Sequence, residues 1–252
     1  CPLGKFNSLY GVDNINKCNN CPLGKYSSIP GLNNSIFCVK CEKGKYNDIL
    51  GSTTYSDCIS CPKGRFSKFK GGSGINDCLF CPVGFFSDIG SDNCISCSIG
   101  KFNSLQGQDK CTTCDIGKYT NSSSSMNCKV CPENSESDIL FDKCSCKDGY
   151  YMTSSKPLVC QKCPENFICN KGSNIETLIL ERRYWRANKT TLHTERCYNE
   201  YNCIGGILNS SSDNLCNEGH TGPICNNCLK GWAKNEGKCF KCLTDTHVIV
   251  RS

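Results

Sequence analysis

Cys21-Pro22-Leu23-Gly24-Lys25-Tyr26 opens a segment that runs to Cys38, and Cys41-Glu42-Lys43-Gly44-Lys45-Tyr46 then starts it again. The same opening stands at Cys1, Cys61, Cys81, Cys97 and Cys114, giving seven copies in about the first half of the 252-residue chain. Within a copy, Pro fixes φ and Gly supplies a left-handed turn residue, so the chain reverses just after the cysteine. The aromatic then starts a short strand lying over the disulfide, and an aliphatic follows (Leu9, Ile29, Ile49, Ile89, Leu105). A second glycine (Gly11, Gly31, Gly51, Gly71, Gly90, Gly107) sends the chain back to the next cysteine. The pattern predicts a hairpin clamped at its base.

Bulk composition agrees. There are 27 cysteines, and only 38% of residues are hydrophobic even with cysteine counted. That cysteine density belongs to disulfide scaffolds of oxidising compartments, which predicts an extracellular or cell-surface location. The expected fold class is small and disulfide-rich: an elongated tandem array of short β-hairpin modules, with little helix and no single large core. The nearest approach to a buried apolar run is Ile175–Leu180. Net charge is +6 with a pI near 8.3, a mildly basic balance. No apolar run is long enough to span a membrane. The chain begins at Cys1 without a signal peptide and reads as a mature or excised piece of something longer.

The simplest pairing joins the cysteine that opens each hairpin to the one that closes it. This gives Cys1–Cys18, Cys21–Cys38, Cys41–Cys58, Cys61–Cys78, Cys81–Cys94, Cys97–Cys111 and Cys114–Cys128. The first four loops each enclose 16 residues, which suits a stack of equal units burying each other's aromatics. Each such bridge contributes about 3 kcal/mol by restricting the unfolded chain. Cys18-x2-Cys21-x16-Cys38-x2-Cys41 also satisfies a four-cysteine zinc spacing. Zinc sites group cysteines in fours, however, and this series runs on ungrouped behind a lone opening cysteine, so no metal is expected.

These seven copies resemble ephrin-receptor-like cysteine-rich repeats, akin to the simplest module of tumour-necrosis-factor receptors. The resemblance covers about residues 1–130 and implies the hairpin-closing disulfide. After Cys131 the turn glycine is missing. Cys144-Ser145-Cys146-Lys147-Asp148-Gly149-Tyr150 is similar to the end of an EGF-like module, which implies Cys131–Cys144 and Cys146–Cys160 over residues 131–169. No acidic calcium-binding signature accompanies it. Residues 170–215 read as a cysteine-poor module around Tyr184-Trp185-Arg186, similar to a stretch in repeat-bearing surface proteins of protists. Residues 216–252, from Cys216-Asn217-Glu218-Gly219-His220-Thr221-Gly222, resemble a laminin-type EGF-like end and the start of a following module. The pairing then continues as Cys163–Cys169, Cys197–Cys203, Cys216–Cys225 and Cys228–Cys239. Cys242 remains, and its partner is expected beyond residue 252.

Candidate sites are few. The histidines are His193, His220 and His247, none within the seven copies. With no pocket expected between stacked hairpins, general acid–base or nucleophilic chemistry lacks its parts, and the sequence predicts no enzyme. No cofactor is expected, apart from N-linked glycans at the sequons of Asn33, Asn121, Asn188 and Asn209. Lys5, Lys25, Lys45, Arg65, Lys101 and Lys118 recur at one position of the repeat. They read as a solvated edge that blocks strand pairing, or as a stripe docking an acidic polysaccharide or a neighbouring filament. Arg183, Tyr184, Trp185 and Arg186 form a possible partner patch, since Trp, Tyr and Arg are favoured at hot spots. The reading preferred for the aromatics is the small core of a cysteine-poor module.

The function expected is a non-enzymatic structural or adhesive glycoprotein, part of a fibre, stalk or surface coat. The alternative is the ligand-binding ectodomain of a transmembrane receptor. Partners would be other copies or other extracellular proteins, and not nucleic acid.

Overall fold

Each copy of the motif builds the same small hairpin in the computed structural model, which describes residues 1–9, 14–209 and 211–242. After the Cys-x-x-Gly turn, two residues pair antiparallel with the two residues that follow the closing cysteine. Lys25–Tyr26 pairs with Val39–Lys40, Lys45–Tyr46 with Ile59–Ser60, and Arg65–Phe66 with Leu79–Phe80. The Cys-x-x-Cys linker between copies is therefore itself a strand. Disulfides join Cys1–Cys18, Cys21–Cys38, Cys41–Cys58 and Cys61–Cys78, each 17 residues apart. These longer loops carry a single 3-10 turn before the closing cysteine, as at Ser35–Phe37 and Tyr55–Asp57. Asn34 caps the first of these through its side chain, and Thr54 with Asp57 forms a capping box on the second. Cys81–Cys94, Cys97–Cys111 and Cys114–Cys128 join cysteines only 13 or 14 residues apart, and these shorter loops carry no such turn. Gly11, assigned above to a turn, lies outside the described residues.

The chain divides into two compact units. The first is Cys1–Val130 with Asp138–Lys143, and the second is Cys131–Ser137 with Cys144–Ser252. In the first unit, backbone hydrogen bonds tie each copy to the next. Gly24 N–H donates to the Asn47 carbonyl at 2.7 Å, Ser27 N–H to Ser52 at 3.0 Å, and Gly51 N–H back to Cys21 at 3.0 Å. Contact also reaches the copy after next, which stacking of neighbours alone does not anticipate. A Cβ on Gly24 would lie 2.2 Å from the Gly71 carbonyl oxygen, and Gly24 has φ +76. Glycine is thus required there both for its conformation and for the close approach.

The buried interior of this unit differs from the expected stack of aromatics. The aromatics are half-buried, and the aliphatics that follow them face solvent, Ile29 being 63% and Ile49 55% exposed. What is buried is a column of cystine, glycine and the polar residue after each aromatic: Ser27, Asn47, Ser67, Ser87, Asn103 and Thr120. Ser27, Ser67 and Thr120 donate to carbonyls of their own copy, Ile29, Phe69 and Ser122, whereas Asn47, Ser87 and Asn103 reach the backbone of the preceding copy. Asn47 Nδ2 donates to Lys25 O at 3.3 Å, Ser87 Oγ to Arg65 O at 3.0 Å, and Asn103 Nδ2 to Phe85 O at 3.0 Å. Buried polar groups persist only when so satisfied.

The second unit holds Cys131–Cys144, Cys146–Cys160, Cys163–Cys169, Cys197–Cys203, Cys216–Cys225 and Cys228–Cys239. Its longest hairpin pairs Tyr150–Ser155 with Leu158–Lys162. Phe167–Ile168, Ile179–Leu180 and Gly206–Ile207 form a three-stranded antiparallel sheet. Over it sits an apolar core of Tyr151, Phe167, Leu178, Leu180, Leu208 and Leu215, with Tyr184 and Trp185 packed against its edge. Among the described residues there is no α-helix, and no helix is long and apolar enough to cross a membrane. Cys242 is free and exposed.

Candidate functional surface

Four of the repeated cations, Lys25, Lys45, Arg65 and Lys118, are held by their own hairpins. Lys25 Nζ donates to the Ser35 carbonyl at 3.2 Å, and Lys45 Nζ lies 4.4 Å from the Tyr55 ring centroid. Arg65 donates to the Cys78 carbonyl at 3.1 Å and covers the Phe80 ring at 3.7 Å. Lys118 pairs with Asp115 at 2.9 Å. Lys118 alone of the six repeated cations meets a carboxylate among the described residues, so the others keep their full charge.

The residues Arg183, Tyr184, Trp185 and Arg186 are split by the fold. Tyr184–Trp185 pairs with Glu195–Arg196, which leaves both aromatics half-buried. Arg186 is fully buried and donates to the carbonyls of Ile175 at 3.1 Å and Leu178 at 3.3 Å. Its guanidinium lies 5.2 Å from the Phe167 ring centroid, and burial holds its pKa below the ordinary value. Arg186 is therefore part of the interior and not of a contact patch. Arg183 alone of the four is exposed, and its Nε pairs with Glu200 at 3.1 Å.

His193 is exposed and pairs with Glu195 at 2.6 Å. His220 is buried, with Nδ1 on the Glu218 carbonyl at 3.0 Å and Nε2 on the Cys239 N–H at 3.1 Å. Both ring nitrogens of His220 are occupied by backbone. His247 lies outside the described residues. The sulfurs of Cys197, Cys203 and Cys225 lie within 4.8 Å of one another, yet all belong to cystines and carry no thiolate to offer a metal.

Asn33, Asn121, Asn188 and Asn209 are all exposed. Asn188 Oδ1 accepts from the Thr190 N–H at 3.0 Å and hydroxyl at 2.8 Å. Asn188 and Asn209 line one depression of ≈ 540 Å³ with Glu176 and Leu208. Ser210, within the last sequon, lies outside the described residues.

A feature the sequence reading missed is the five-residue loop between Cys197 and Cys203. It holds Tyr198 at 85% and Tyr201 at 69% exposure. A cavity of ≈ 190 Å³ lined by Arg182, Arg183, Glu200 and Tyr201 opens on one side. A wider depression of ≈ 550 Å³ lies on the other, lined by both tyrosines, Asn199, Glu200, Asn226, Glu236 and Gly237. The signal was present: two tyrosines inside so short a cystine loop have no interior to enter.

Residues 100–141 match the family described as tyrosine-protein kinase ephrin type A/B receptor-like. The match runs from Gly100 of the sixth copy through the seventh to Phe141, whose carbonyl accepts from Thr120 N–H at 2.9 Å. No curated protein matches the chain. The match at 100–141 and the tandem cystines support a cysteine-rich repeat array, which fits an extracellular, non-enzymatic role.

Proposed function

We propose that the chain is a load-bearing or adhesive segment of an extracellular glycoprotein that forms a fibre, stalk or surface coat. The observation that carries this reading is the way each copy is tied to the next by backbone bonds and to the copy after by glycine contact. Stiffness in such an array comes from covalent loops and backbone bonds, so it needs neither a large core nor a ligand. N-glycans at Asn33, Asn121, Asn188 and Asn209 would cover exposed turns. EGF-like segments over 131–169 and a laminin-type end over 216–252 would continue the same modular plan. The receptor-like family match favours a second reading, the ligand-binding ectodomain of a membrane receptor.

Negative-stain imaging of native material separates the two. Filaments or rods that persist without detergent support the first reading. Dispersed single particles recovered only with membranes support the second and overturn the first.

A further inference from the structure

We infer that the Cys197–Cys203 loop and the arginines beside it form a binding surface for an acidic oligosaccharide. Aromatic side chains of this size are normally turned inward or against a partner, because they dominate interface energetics when buried. Tyr198 and Tyr201 are instead held outward by a loop that has little freedom to hide them. The Cys197–Cys203 bridge closes it, and Asn199 Oδ1 accepts from Tyr201 N–H at 3.1 Å. Asn217 Nδ2 donates to the Tyr201 carbonyl at 3.2 Å, and the buried Asn202 donates to Gly237 O at 2.9 Å. The ordering cost that a flexible aromatic loop would meet on binding is therefore already met by the fold.

Charge identifies the ligand. Arg183 is fixed to this loop from both ends, its N–H donating to Cys203 O at 3.0 Å and its carbonyl accepting from Cys197 N–H at 2.9 Å. Arg183 and Arg196 share the single carboxylate of Glu200. Arg182 lines the same cavity as Arg183 and pairs with no acidic group among the described residues. Lys238 Nζ lies 5.2 Å from the Tyr201 ring centroid. One end of the surface thus carries an excess of planar, forked cations suited to a sulfate or carboxylate. The other end carries amides and carboxylates, Asn199, Asn226 and Glu236, suited to hydroxyl groups. Between them lie exposed phenol rings, a platform for the C–H face of a sugar. A uniformly anionic peptide would meet Glu200 and Glu236, so the mixed surface favours a chain of neutral and acidic sugars.

The inference deepens the extracellular reading by naming a partner class, and its test stands apart from the imaging. A chondroitin sulfate decasaccharide is titrated against the intact, glycosylated protein, beside a neutral dextran oligomer and a polyglutamate peptide. The decasaccharide is expected to bind, and the neutral oligomer and the peptide to bind at least tenfold more weakly. Tyr198→Ala with Tyr201→Ala should weaken decasaccharide binding at least tenfold. Arg182→Ser should weaken it severalfold and flatten its salt dependence. Lys25→Ser with Lys45→Ser, in the repeats, should leave it unchanged. All altered side chains in the loop are exposed, and a disulfide map of each variant verifies the fold. No decasaccharide binding, equal binding by the loop variants, or polyglutamate bound as tightly overturns the inference. Filaments that fail to bind sink this inference alone, whereas particles recovered only with membranes that still bind sink the structural reading alone.

Discussion

Asn47 has no exposed surface, although nothing in its chemistry favours an interior place. It is tolerated because its amide is used at both ends: Nδ2 donates to Lys25 O at 3.3 Å, and Oδ1 accepts from Ile49 N–H at 3.0 Å. Asn47→Ala takes the side-chain partner from the Lys25 carbonyl and the Ile49 N–H and leaves a small void, and should cost about 2 kcal/mol in urea unfolding. Asn47→Ser should cost about half as much, since Ser87 makes the equivalent cross-copy bond to Arg65 O at 3.0 Å. Equal losses for the two variants would mean that volume, not hydrogen bonding, decides this position. Asp213 shows the same economy in a charged group. The Gly222 N–H, then the Thr221 and Ser211 hydroxyls, donate to it and hold its carboxyl below the ordinary value of 3.8. Because the folded value is the lower one, the stabilisation is present above about pH 3.8 and is lost as pH falls through the folded value. The melting temperature of Asp213→Asn should accordingly fall less than that of the parent between about pH 5 and pH 2. Parallel acid profiles would refute this role.

A single hairpin of two-residue strands is far too small to fold alone, so each repeat depends on its cystine and its neighbours. Replacing Cys61 and Cys78 together by Ala opens a loop whose ends are 17 residues apart. The expected loss is about 3 kcal/mol for that element. The damage should also spread, because Gly64 N–H donates to Ser87 O and Gly44 N–H to Ser67 O, both at 2.9 Å. Hydrogen exchange should therefore rise in the copies opening at Cys41 and Cys81 as well as in the altered one. Loss confined to residues 61–80 would show that copies fold independently.

At the scale of the whole molecule, cysteine spacing carried most of what was legible. A twenty-residue beat with Cys-Pro-x-Gly states where the chain turns and how often, and turn chemistry is local. Contacts with no local signature stayed hidden. Nothing beside Gly24 announces the Gly71 carbonyl, and nothing marks Ser27, Asn47 and Ser87 as interior, since polar residues usually stay outside. The Tyr184-Trp185-Arg186 run was conspicuous by composition, yet whether Arg186 faced inward depended on the Ile175 and Leu178 carbonyls, which only folding brings to it. The Tyr198 and Tyr201 surface, by contrast, was legible in the Cys197–Cys203 spacing, and only the bonds that pin the loop, such as Asn202 to Gly237 O, needed the fold. A molecule built this way should betray itself in amide exchange. In the copies opening at Cys21, Cys41, Cys61, Cys81 and Cys97 the opening cysteine, the turn glycine and the buried polar residue all donate into backbone bonds, as Cys41 N–H does to Gly24 O at 2.9 Å, Gly24 N–H to Asn47 O at 2.7 Å and Ser27 N–H to Ser52 O at 3.0 Å. Residues between them, such as Asn33, lie exposed. Slow amides should recur with the period of the cysteines through residues 14–130 and become contiguous only around Ile179–Leu180, where sheet and apolar core coincide. Uniform protection through the repeats would require an apolar core of a kind that Cys, Gly, Asn and Ser do not build.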